Sequence, residues 1–191
     1  DNIADKLYFL SNRNFDLQND TLFLIELQEN SNDTTIHTTA LVSNIPYGVP
    51  PNGKQEDTDT SDATKGLQTN DGRILGAIQK DNWIQFVSTT THGNNKNAGI
   101  FHGFISDVSN DKPKITGRIF YHPERDYGYP NIAWSGIRES QIQCLIGFNY
   151  TSIEGHPGVG AVQLGNDTTF SEPIDLKAGT TYVDRHSDSY E

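Results

Sequence analysis

The sequence contains no Met, a single Cys, few basic side chains and no long apolar run. Each shortage excludes something. The longest mostly apolar stretches, 22–27 and 142–148, are strand-sized, whereas a helical membrane span needs about 20 such residues. With 14 Lys and Arg against 25 Asp and Glu, the formal net charge is -11, which argues against nucleic acid or an anionic membrane as partner, since both demand a basic face. The lone Cys144 excludes a disulfide framework and a Cys-based zinc knuckle. Neither an initiator Met nor a basic segment followed by an apolar core opens the chain, so the expectation is a mature or trimmed piece. Also missing is any window of eleven or more residues with a 3.6-residue apolar period uninterrupted by Gly or Pro.

What is present points to strands and turns. The 17 Asp, 17 Asn and 17 Gly outweigh 8 Glu, and short polar side chains and Gly favour turns, where a helical acidic protein would use Glu. Alternating or buried-strand runs recur at 6–11, 21–28, 37–43, 73–79, 83–89, 100–107, 115–121, 131–134, 142–149, 159–164 and, more weakly, 173–176. The expected fold is all-β. The runs group into antiparallel meanders repeating every ~40–60 residues, as blades of a β-propeller do. The expected blades are 6–44, 71–122 and 129–178, with a loop insertion at 45–70 and residues 1–191 forming part of one domain. Three blades do not close a ring, so the propeller is expected to be incomplete, with further blades of the same polypeptide or a partner protein covering its open sheets. A β-sandwich is the alternative.

Several strings carry a family resemblance: Asn14-Phe15-Asp16-Leu17, Pro46-Tyr47-Gly48-Val49-Pro50-Pro51-Asn52, Thr69-Asn70-Asp71-Gly72-Arg73, Tyr129-Pro130-Asn131-Ile132-Ala133, Gly147-Phe148-Asn149-Tyr150-Thr151 and His156-Pro157-Gly158. Over nearly the whole chain they resemble large secreted bacterial β-propeller proteins of the kind exported by the type IX system to the cell surface. The resemblance implies an extracellular or cell-surface location and a fold rather than an activity. In such relatives a Trp-Gly-Asp-Tyr-like segment would follow directly on Tyr190-Glu191, so the resemblance reads the chain as a fragment.

Candidate chemistry is sparse. Cys144 sits between apolar neighbours, as an inert packing thiol does, and no Gly-x-Ser-x-Gly elbow or His-x-x-x-His pair occurs. Paired carboxylates are the serious catalytic option, because propeller glycosidases use two of them. Asp71 at the mouth of an inner strand and Asp126 in the loop feeding the next are the candidates. Arg73, Arg125 and Tyr129 stand beside them to hold an anionic or hydroxylated ligand. The competing reading, an Asn-Asp-Gly turn and a surface ion-paired loop, is the stronger. Asp57-x-Asp59-x-Ser61 places oxygens as the start of a calcium loop does, but Asp62 and Gln68 stand where such a loop needs Gly and Glu. No other cofactor is implied. Asp-Thr followed by Leu or Thr at Thr21, Thr34 and Thr168 resembles the O-glycosylation pattern of the same bacterial group, against about one occurrence by chance. The expected function is a non-catalytic interaction or carbohydrate-binding module; the alternatives are part of a propeller glycoside hydrolase or lyase and a subunit of a bacterial surface or secretion assembly.

Overall fold

The structure, a computed structural model, describes residues 6–30, 33–55, 66–92, 96–110, 112–138 and 140–183. Among these residues the regular elements are strands only, and the all-β expectation holds. Three antiparallel sheets follow one another along the chain. The first contains β1 (Lys6–Asn12), β2 (Asn19–Asn30) and β3 (Asp33–Tyr47). The second is the meander β4 (Ile74–Lys80), β5 (Trp83–His92), β6 (Asn97–Ser106) and β7 (Lys114–Phe120). In the third, β8 (Asp126–Trp134), β9 (Cys144–Ser152), β10 (Gly155–Leu164) and β11 (Ile174–Ala178) pair in chain order. None of the three sheets closes on itself.

Side-chain alternation decides how they pack, because successive residues of a strand face opposite sides. In β5, Ile84 and Phe86 face the first sheet while Gln85 and Val87 face the third. In β6, Phe101 and Ile105 turn one way, Ile100 and His102 the other. The second sheet is therefore buried on both faces, and its central strands β5 and β6 are buried almost throughout, polar Gln85, Ser88, Thr89, Thr90 and His102 included. One core joins it to Leu22, Leu24, Leu41 and Tyr47 of the first sheet. The other packs Phe120 against Tyr127, with centroids 5.2 Å apart and rings stacked, beside Phe148 and Phe170. Gly103 makes room for this layering, since a Cβ there would lie 2.1 Å from the Phe86 ring.

β1 meets β4 at one edge, while β8 runs across the second sheet, touching β4, β5 and β6. Asn12 Nδ2 donates to the Gly72 carbonyl at 2.7 Å beside β4, and a Cβ on Gly76 of β4 would lie 2.8 Å from Asn131 Oδ1 of β8. At the opposite edge the Asn44 amide of β3 clamps Gly117 of β7. Its Nδ2 donates to the Gly117 carbonyl at 3.3 Å and its Oδ1 accepts the Gly117 N–H at 2.6 Å, which caps an otherwise exposed strand edge.

Two of the boundaries that differ from the sequence reading bear on the candidate site. The first sheet runs on to Tyr47, and β8 begins at Asp126 rather than at 131, so Asp126 and Tyr129 lie in the strand, not in a loop feeding it. Gly128 and Pro130 masked this stretch. A bulge between Gly128 and Asn131 absorbs them, with Tyr129 held at φ +50. The insertion is also more than an excursion: residues 48–55 form a strap across the ends of all three sheets. Val49 N–H donates to the Asp16 carbonyl (2.9 Å), Gly48 exchanges bonds with Thr90 and Thr91, and the Lys54 carbonyl accepts the Thr151 hydroxyl (2.7 Å). The calcium-loop candidate Asp57, Asp59 and Ser61 lies outside the described residues.

Candidate functional site

The five ligand candidates divide into two clusters. Asp71 closes an Asx-type turn: its Oδ1 accepts the Arg73 backbone N–H at 2.9 Å. The Arg73 guanidinium forks onto the same carboxylate at 2.6–3.0 Å, and Asn14 Nδ2 donates to Oδ2 at 2.9 Å. Burial pushes the Asp71 carboxyl upward, but the bonds from Arg73 and Asn14 outweigh it and hold the group below the ordinary carboxylate range. This cluster joins the loop after β1 to the approach of β4. The Asn-Asp-Gly string thus forms the turn that its composition favours.

Asp126 plays a different part. Its Oδ1 accepts the Ala98 N–H at 2.7 Å and its Oδ2 the Lys54 N–H at 2.9 Å, with the side chain buried. One carboxylate therefore ties β6, the strap and β8 together. Its neighbour Arg125 reaches away from it to chelate Asp175 at 2.7 and 3.2 Å, 50 residues later in the chain, while its guanidinium lies 4.7 Å from the Tyr150 ring centroid. The Arg125 hydrogen bonds, against a smaller opposing effect of burial, hold the Asp175 carboxyl below its usual range. The hydrogen bonds of Asp71 and Asp126 go to separate sets of residues. Tyr129 is partly exposed on its bulge.

Arg125 and Asp126 line a groove of about 520 Å³ that opens at the end of the third sheet. Lys54 from the strap, Ser152, Glu154 and His156 from the β9–β10 hairpin, and Gly179 after β11 complete its polar wall. Lys54 is preset, its ammonium donating to the Lys96 carbonyl at 2.8 Å and Asn97 Oδ1 at 2.7 Å. The His156 Nδ1 is buried without a hydrogen-bond partner. Cations, carboxylates and an imidazole share the lining, a set that offers both hydrogen-bond donors and acceptors. Sequence reasoning found Arg125 and Asp126 but missed Lys54, Glu154, His156 and Asp175, which come from three separate segments with no periodic signal to link them.

The remaining chemistry is structural. Burial pushes the Cys144 thiol up to about 12, in keeping with an inert packing residue. Among the described residues no three His, Cys, Asp or Glu side chains converge as a metal-ligand set, and no helix is long and apolar enough to cross a membrane. Thr21 and Thr34 lie on β2 and β3, with Thr34 exposed, and Thr168 sits at φ +66 in the turn after β10. Comparison with protein-family models, with curated proteins and with solved structures finds no match for this chain.

Proposed function

We propose that the chain is a segment of a secreted, cell-surface β-propeller and works as an interaction or carbohydrate-binding module. The observation that carries this reading is the stack itself: three successive antiparallel sheets, each a meander in chain order, pack one on the next through two apolar cores. Radial repetition stacks meanders in chain order in this way, whereas a sandwich pairs two sheets. Binding is favoured over catalysis because the two carboxylates that a glycosidase reading needs are already engaged, Asp71 by Arg73 and Asn14, Asp126 by two backbone N–H groups. A general acid must instead carry its proton near neutral pH, and the Asp71 environment favours ionisation.

The groove beside Arg125 is the ligand site in this reading, with Glu154, Ser152 and His156 hydrogen-bonding sugar hydroxyls. A glycan array probed with the full chain and with Glu154→Arg tests it. Binding that the groove substitution abolishes is the expected result. Binding of unchanged strength in Glu154→Arg removes the groove, and binding to no glycan removes the carbohydrate reading.

A further inference from the structure

Along the first sheet the core-side face changes character. Alternation turns Leu10, Leu22, Leu24 and Leu41 toward the second sheet, and continued toward the far end it turns Lys6, Tyr8, Glu26, Gln28 and His37 the same way. The register sets Tyr8, Glu26 and His37 side by side across β1, β2 and β3. The outer face of these rows carries Leu7 and Ile36, 58 and 64% exposed. The usual pattern of a half-solvated sheet, apolar within and polar without, is reversed at this end. The polar side faces a cleft of about 340 Å³. Its opposite wall is the loop between β6 and β7. Val108 N–H donates to the Asn82 carbonyl at 3.2 Å, Ser109 N–H to Asn82 Oδ1 at 2.8 Å, and Asn110 N–H to the Asp107 carbonyl at 2.9 Å, so that wall is set in advance. Lys6 Nζ meets the Glu26 carboxylate at 2.9 Å, and the Glu26 side chain is only 17% exposed. Beside Glu26 and the Ser109 hydroxyl, the Tyr8 hydroxyl is sealed from solvent and closes no well-formed hydrogen bond among the described residues.

We propose that this cleft is a ligand site for a small uncharged molecule rich in hydroxyls, of the class of a single neutral sugar unit. Charge narrows the class first. Among the described residues the lining holds one Lys and one Glu, Lys6 and Glu26, and these are paired with each other. An anion therefore meets Glu26, and a cation meets Lys6, with the opposite charge already engaged. An apolar guest would bury the Gln28 and Asn110 amides and the Thr39 hydroxyl without partners. Hydroxyls suit these groups, because each hydroxyl both donates and accepts, as the amides and the Thr39 and Ser109 hydroxyls do. Leu24, Val108 and Pro113 add an apolar strip for the C–H face of a ring. The volume lies at the lower end of the range for small-molecule sites, which fits one unit rather than a long chain. The cleft and the groove beside Arg125 share no lining residue among those described, and the inference does not rest on the groove reading. Strand β6 separates them, with Asn97 at one end in the groove and Val108 just past the other in the cleft, roughly 30 Å of extended chain.

Each site holds one histidine, His37 in the cleft and His156 in the groove, which gives the test two independent reporters. Imidazole NMR spectra of the full chain are recorded at constant pH while methyl glycosides of glucose, galactose, mannose and N-acetylglucosamine are titrated in. The resonance missing from His37→Gln identifies the cleft reporter. A saturable His37 shift with at least one glycoside is the expected result. Thr39→Arg on β3 and, separately, Asn110→Arg on the facing loop should each fill the cleft and abolish the response, read through the His37 resonance that both variants keep. Both positions are exposed, and near-UV circular dichroism separates a filled cleft from a lost fold. If one arginine variant misfolds, the other probes the same cleft from the opposite wall. Absence of a His37 shift with every glycoside overturns the inference, as does a shift that survives in a folded arginine variant. A stronger response to glucuronate, glucosamine or N-acetylglycinamide than to every glycoside overturns the assigned class. The reporters keep the two readings apart: a response at His156 alone sinks the cleft and spares the groove, and one at His37 alone does the reverse.

Discussion

His102 lies fully buried between the second and third sheets, where its Nε2 donates to Gln85 Oε1 at 2.8 Å and Gln85 Nε2 in turn donates to the Ile142 carbonyl at 2.7 Å. That chain of bonds fixes the tautomer and leaves Nδ1 with no partner. Burial, aided by the nearby Arg118 charge, pushes the imidazole down to about 3. The sign follows from linkage: the unfolded chain takes up a proton near pH 6.5 while the folded one refuses it, so stability is full above pH 6.5 and falls as the pH drops toward 3. At pH 5 the loss is about 2 kcal/mol, and about 3 kcal/mol at pH 4. Replacing the residue, His102→Gln, keeps an amide donor for Gln85 and removes the titration. Urea unfolding of both proteins at pH 7.5, 6, 5 and 4 should show the wild type losing its advantage over the variant by about 2 kcal/mol between pH 7.5 and 5. Whatever His102→Gln costs through packing is independent of pH and cancels from the slope. Parallel curves would refute the reasoning, because they would mean that His102 is protonated or solvated in the folded state. The depressed Asp71 and Asp175 carboxyls also lose stability in acid, but only as the pH falls below about 4, so the span from pH 7.5 to 5 reads His102 rather than these carboxyls.

Other outcomes follow from the same geometry. Gly103→Ala drives a Cβ into the Phe86 ring and should cost about 1–3 kcal/mol in urea unfolding, whereas Gly147→Ala, which meets open space, should shift stability by less than about 0.5 kcal/mol. Asp126→Asn turns one N–H acceptor into a donor facing a donor, which should cost about 2 kcal/mol and loosen the strap, seen as faster amide exchange at Lys54 and Ala98. Cys144 should resist a thiol reagent in the native protein and react fully in urea; rapid native labelling would contradict its burial. Intact mass of protein from its native source should exceed the sequence mass if Thr21, Thr34 or Thr168 carries sugar, and an unmodified mass removes that expectation.

Strand content was readable in the sequence because strand patterning is local: the runs at 83–89 and 100–107, rich in β-branched and aromatic residues between turn-rich flanks, match β5 and β6. The Asn70-Asp71-Gly72 turn was equally local, its bonds closing within two residues. Asp126 was picked out, but its tying role was not readable, since its partners Ala98 and Lys54 stand 28 and 72 residues away and nothing in a carboxylate's neighbours announces distant N–H groups. The same distance hid Asp175 from Arg125. The strap escaped notice for a related reason: Pro46, Pro50 and Pro51 break strand periodicity, yet the backbone between them finds its hydrogen bonds on other sheets.

That strap alters how the molecule comes apart. Stacked sheets of a repeating kind can fray from either end, each unit held only by its neighbour. A segment that bonds to Asp16, Thr91 and Thr151 in turn makes each sheet feel the loss of the other two. The three meanders should therefore melt as one, with Trp83 in the second sheet and Trp134 in the third reporting a single transition rather than a zipper opening sheet by sheet.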